Sequence, residues 1–155
     1  MKKWFLVIIL LFFVAGCASL GIRSDRLKLT DAHIITALRS YDDFAAVEKL
    51  YRYQDFALLI RFSGLKEMEN RAVDFTIAVT LIDPNGITLF DSYEIPIIGL
   101  VASHIEKGKY WQVVEFCVPS DADYGIYTFE FTLTDNFSGQ MISGKIKFEV
   151  IGLPV

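Results

Sequence analysis

The sequence predicts an all-β fold, an antiparallel two-sheet sandwich of seven or eight strands, and three observations predict it. Large apolar side chains recur at every second position through several runs, the period of a strand with one buried face. Pro, Gly, Asn and Asp cluster between those runs, as turns between paired strands do. Thirteen Phe, seven Tyr and two Trp in 155 residues supply bulky side chains suited to a pleated, half-buried surface. The length suits one ordinary domain. With 53% apolar and 22% charged residues the chain is not of disordered composition. No internal repeat, low-complexity tract or second linker divides it.

In chain order, residues 27–38 read as a first strand, broken near Thr30-Asp31. Residues 41–50 are ambiguous. Phe44, Val47 and Leu50 would share a helical face behind a Ser40 cap, so an irregular stretch or one helical turn is expected there. It leads into a strand over 50–62 that contains Phe56-Ala57-Leu58-Leu59-Ile60-Arg61-Phe62. In Val73-Asp74-Phe75-Thr76-Ile77-Ala78-Val79-Thr80-Leu81 every odd position is large and apolar. Asp83-Pro84-Asn85-Gly86 then sets Pro where φ is fixed and Gly where φ is positive, joining strand 72–82 to strand 87–91. Ile95-Pro96-Ile97-Ile98-Gly99-Leu100-Val101-Ala102 is apolar on both faces and interrupted by Pro and Gly. Two readings apply to it: a loop or edge strand folded onto the core, or an edge where a partner chain adds through Ile95, Ile97, Ile98 and Leu100. A strand follows within 109–118, then one whose odd positions are Tyr127, Phe129, Phe131 and Leu133. The last runs from Ile142 to Val150, its even positions facing in apart from the small Gly144, and the turn 135–140 joins these two.

Asp123-Tyr124-Gly125-Ile126-Tyr127-Thr128-Phe129 resembles the tyrosine corner of immunoglobulin-like domains. Tyr127 would be the corner Tyr, and Phe129 occupies the position of the second disulfide Cys. There is no pair of core cysteines and no Trp on the third strand; Trp111 lies later. The chain therefore resembles the disulfide-free immunoglobulin-like or fibronectin-type-III-like modules of bacterial surfaces, over residues 27–151. That resemblance implies an immunoglobulin-like β-sandwich. A lipocalin-like barrel or jelly roll is the alternative.

The chain opens Met1-Lys2-Lys3 and runs apolar from Trp4 to Val14. A positive start and a short apolar run make a secretory signal peptide, too short for a comfortable membrane span of about 20 residues. Val14-Ala15-Gly16-Cys17 resembles the lipobox of bacterial lipoprotein precursors. The resemblance implies cleavage between Gly16 and Cys17, a diacylglyceryl thioether on the Cys17 sulfur, and membrane attachment through that lipid. It divides the chain into a leader at 1–16, a lipidated tether at 17–26 and a sandwich domain at 27–155. Ala18 stands where an Asp would favour the inner membrane in enterobacterial members, so the resemblance leans towards the outer membrane, periplasmic face or surface. Losing Lys2 and Lys3 with the leader takes the net charge from −4 to −6. That balance argues against nucleic acid and anionic headgroups as partners.

Few residues carry recognisable chemistry. The two His, His33 and His104, have no Gly-x-Ser-x-Gly elbow to serve, and a Ser-His-Asp set through Ser92 or Ser103 has no supporting motif. Cys117, in Val-Glu-Phe-Cys-Val-Pro, reads as core filler, with an intermolecular disulfide as the exposed alternative. The carboxylate pairs Asp42/Asp43, Glu67/Glu69 and Asp121/Asp123 are loop neighbours, which does not place two groups across a cleft. Asp121 and Asp123 with Asp83 and Asn85 could ligate calcium, but each has a turn or loop role. The expectation is therefore no cofactor, no metal and no enzyme. Two functions remain: a lipid-anchored module that binds another envelope protein or assists an assembly, or a carbohydrate-binding or hydrolytic sandwich acting on envelope glycans. The second would use Tyr51, Tyr53, Tyr110 or Trp111 as a stacking platform.

Overall fold

The computed structural model describes residues 26–69, 71–101 and 109–153. The predicted leader, Gly16, Cys17, Ser103 and His104 lie outside them. The described residues form nine strands and no helix: β1 (Lys28–Ser40), β2 (Asp43–Ala46), β3 (Lys49–Tyr51), β4 (Asp55–Ser63), β5 (Ala72–Ile82), β6 (Thr88–Leu100), β7 (Tyr110–Cys117), β8 (Gly125–Asp135) and β9 (Met141–Ile151). They build a four-stranded sheet of order β2-β1-β4-β7 and a five-stranded sheet of order β3-β9-β8-β5-β6. The fold is the all-β two-sheet sandwich that the alternation predicts, with nine strands, counting the short β2 and β3, against the expected seven or eight. All pairings are antiparallel except β3 with β9.

The core is the sum of the alternating positions. β5 contributes Val73, Phe75, Ile77, Val79 and Leu81, and β8 contributes Tyr127, Phe129, Phe131 and Leu133. Phe56, Leu58, Ile60 and Phe62 of β4 face them from the other sheet. Aromatic rings join the layers: Phe116 lies 4.8 Å from Phe129, and Phe56 lies 5.2 Å from Phe148, centroid to centroid. Gly144 interrupts β9 because Phe131 fills its place. A Cβ there would come within 2.3 Å of the Phe131 ring.

Three local expectations change. Residues 41–50 are not helical. Ser40 pairs with Asp43 across a two-residue turn, and Leu50 enters the core as part of β3. Phe44, Val47 and Leu50 do not share a helical face: Phe44 packs on the outer cluster, and Val47 and Leu50 on the main core. Residues 87–91 and 95–100 are one strand, β6, with the irregularity absorbed by a register shift opposite Val79 and Leu81. Ser92 takes φ +48° at that point, and its N–H donates to Thr80 Oγ1 at 2.9 Å. The break near Thr30 is a bulge inside β1, between the pairs Leu29–Phe62 and Asp31–Arg61.

Two turns close the hairpins through one Asp each. Asp83 Oδ1 accepts the N–H groups of Asn85 and Ile87, both at 2.8 Å, and Gly86 takes φ +80°. Asp135, fully buried, accepts from Phe137 N–H, Ser138 Oγ–H and, across to the other loop, Lys66 N–H. The tyrosine corner is present in the bond that defines it, Tyr127 Oη donating to the Asp123 carbonyl at 3.0 Å. Burial, followed by the charges of Asp123 and Asp83, pushes the Tyr127 hydroxyl up to about 12. It remains a donor throughout the neutral range. Tyr127→Phe is expected to cost about 1 kcal/mol in urea denaturation. Gly144→Ala is expected to cost about 1–3 kcal/mol through the clash with Phe131.

Candidate functional site

A strand in a two-layer sandwich normally shows polar side chains to water, but β4 does not. Its second face carries Ala57 and Leu59, which with Ile35 and Val113 form a separate buried cluster. Leu38, Phe44 and Trp111 pack on that cluster. The β1–β2 hairpin thus folds over the outer face of the four-stranded sheet.

Arg61 holds the hairpin down. Its Nε and Nη2 take both oxygens of Asp31 in a forked pair, the Nε bond measuring 2.7 Å. Its Nη1 donates to the Tyr41 carbonyl at 2.9 Å and to Asp42 Oδ1 at 3.2 Å, at the hairpin tip. The guanidinium also lies 4.9 Å from the ring centroids of both Tyr41 and Phe44. Tyr41 meets Trp111 of β7 edge-on at 5.4 Å. The bond from Arg61 lowers the Asp31 carboxyl below its ordinary 3.8, against the opposing effect of burial.

Beside the hairpin a groove of about 420 Å³ opens on the same face. Ile35, Leu38, Ala57 and Val113 supply its apolar lining, and Asp55, Glu115 and Cys117 its polar groups. Cys117 is therefore not core filler. Its neighbours in sequence, Phe116 and Val118, are buried, while Cys117 faces outward, half-buried beside Asp55. Burial, then the adjacent Asp55, pushes the Cys117 thiol up, which keeps it in the unreactive thiol form.

The predicted partner edge divides by face. Ile95 and Ile97 lie in the core, and Ile98 and Leu100 point outward. Among the described residues β6 pairs only with β5 and is an edge of its sheet. Pro96 lacks an N–H and interrupts the donors along it. The four aromatics of the predicted stacking platform do not gather. Tyr110 is buried and donates to Glu67 Oε1 at 2.6 Å, Trp111 faces the hairpin, and Tyr53 stands 75% exposed in the β3–β4 turn. Asp83 is engaged by its own turn, while Asn85 Nδ2 donates to Asp123 Oδ2 at 3.3 Å. Among the described residues no three His, Cys, Asp or Glu are grouped to hold a metal ion. His33 lies on β1, 3.5 Å from Asp31, its ring tilted against Phe44 at 4.8 Å between centroids.

Arg61 and the hairpin are the features that sequence reasoning misses, although a signal exists. Phe56–Ile60 is apolar at five successive positions, which requires cover on both faces of the strand.

No protein-family model and no curated protein matches the sequence. Solved structures with a similar fold include a family 123 glycoside hydrolase from Clostridium perfringens, at 15% identity and TM-score 0.43. The match covers 83% of this chain but 27% of that one, so this chain spans about a quarter of the hydrolase. Another is the C-terminal domain of wzt, at 17% identity and TM-score 0.44, covering 83% of this chain and 75% of that one.

Ile97→Asp is expected to unfold the domain or cost more than about 4 kcal/mol, whereas Ile98→Asp, at a side chain 72% exposed, stays within about 1 kcal/mol in thermal or urea unfolding. Asp31→Asn is expected to cost about 1.5–3 kcal/mol at pH 7. Because the folded carboxyl titrates below 3.8, its contribution is complete above that value and fades as pH falls through the folded pKa. The stability gap between Asp31→Asn and wild type, followed by urea titrations from pH 7 to pH 2, should therefore close at the acid end.

Proposed function

We propose that the protein is a lipid-anchored lipoprotein of the bacterial cell envelope, lodged in the outer membrane, whose sandwich is a non-catalytic protein-interaction or assembly module. The observation that carries the reading is Val14-Ala15-Gly16-Cys17 behind an apolar run, ten residues ahead of the domain. The domain's edge is set by Leu27, which is buried and whose N–H donates to Gln140 Oε1 at 2.9 Å. A tether over 17–26 reaches at most about 35 Å when extended. The sandwich would then work close to the bilayer, on partners that share it. Two or more acyl chains give the stable hold that one chain does not.

The interaction role draws on the outer face of the four-stranded sheet. There an added hairpin layer creates a lined groove, and the Cys117 thiol in it is kept protonated. Metabolic labelling with an alkyne fatty acid, followed by fractionation, tests the anchor. The full-length chain should take the label and sediment with outer membrane, and Cys17→Ala should lose both label and membrane association. Label incorporation that survives Cys17→Ala, or a soluble wild-type chain, would overturn the anchoring.

A further inference from the structure

We infer that the groove beside the β1–β2 hairpin receives an apolar side chain flanked by a lysine or arginine, presented by a partner protein. The inference deepens the proposed interaction role and rests on it for the choice of a protein as occupant. Ile35, Ala57 and Val113, from three adjacent strands, make the apolar floor. Asp55 and Glu115 stand diagonally across the β4–β7 pair, where Asp55 faces Cys117 and Ala57 faces Glu115.

Charge decides the occupant. Among the described residues no lysine or arginine lines the groove. Farther along the same face Asp31 and Asp42 are matched by Arg61, whereas neither Asp55 nor Glu115 forms an ion pair among the described residues. A cation brought by the occupant would complete the site, and an acidic segment or a lipid with an anionic head would be repelled. The volume of about 420 Å³ lies among ligand-sized clefts, large enough to bury one anchoring side chain and the start of its neighbours.

A display library of random eight-residue peptides, panned against the full-length chain in detergent micelles, tests this. The enriched consensus peptide is then titrated by fluorescence anisotropy. Enriched peptides should place an apolar residue within two positions of Lys or Arg. The Asp55→Asn, Glu115→Gln double variant should weaken the consensus peptide about tenfold. Cys117→Trp, which fills the groove from its end, should abolish binding, with melting temperatures of all variants checked against wild type. Ile98→Ser, on the opposite sheet, should bind normally. The inference is overturned by no enrichment, by peptides without a basic residue, by equal affinity for a folded double variant, or by loss in Ile98→Ser. Self-association of the chain that the double variant abolishes would also overturn it, making a second copy the occupant. A wild-type chain that takes no fatty-acid label yet binds the peptide would sink the anchor and leave the groove standing; a labelled chain that binds no peptide would do the reverse.

Discussion

The central constraint on this structure is that β4 is apolar on both faces. Leu58 and Ile60 belong to the main core, and Ala57 and Leu59 point the other way. Two layers can cover only one of these faces, so a third piece of chain must cover the other. The β1–β2 hairpin does so, and Arg61 is what a covering hairpin needs at the boundary between oil and water. Each of its three nitrogens has an oxygen partner, and two aromatic rings flank it. A lysine could neither fork onto Asp31 nor reach the hairpin carbonyl with the same geometry.

The bulge at Thr30 belongs to the same arrangement. Without it, Leu29 and Asp31 would continue the pairing of β1 with β4 in one unbroken register. The shift between them keeps Leu29 on the main core while Asp31 meets Arg61 across the strand pair. A single extra residue thus reconciles an inner apolar surface with an outer ion pair. Among the described residues the opposite sheet has no such added layer. Its outer face is threonine-rich, with Thr132 bonded to Ser143 and Glu130 to Lys145 across β8 and β9. The two faces of the molecule are chemically distinct, one hydroxyl-lined and the other apolar beneath a flap.

Where each strand has one face in and one face out, the fold is legible in the sequence. β5 and β8 are plain from their alternation, and the corner at Tyr127 is plain from its local motif. Legibility fails where a residue's role depends on chain far away in sequence. Phe44 and Leu50 look like one helical face because both are apolar at suitable spacing, yet one packs under the hairpin and the other in the main core. Ile97 and Ile98 are chemically alike, and only the pairing of β6 with β5 tells the buried one from the exposed one. The groove could not be read at all, since Asp55, Ala57 and Glu115 become neighbours only when β7 pairs with β4. Cys117 misled for the same reason, because a thiol between apolar residues says nothing of which face it takes.

The groove follows from how the third layer is made. β1 pairs with β4 only as far as Ile35 and Ala57, and then leaves to form the hairpin. β4 and β7 continue together to Asp55 and Cys117 past the last pair with β1, and β1 flanks them only across the groove. An apolar floor is therefore left open at the end of the sheet where the hairpin departs. The other end of β1, where Lys28 pairs with Ser63, is the N-terminal end of the described sandwich. On the proposed anchoring, a lipid on Cys17 would attach at that end, opposite the open floor. The same bend that covers most of the second face of β4 would then present its uncovered remainder to whatever approaches from beyond the membrane surface.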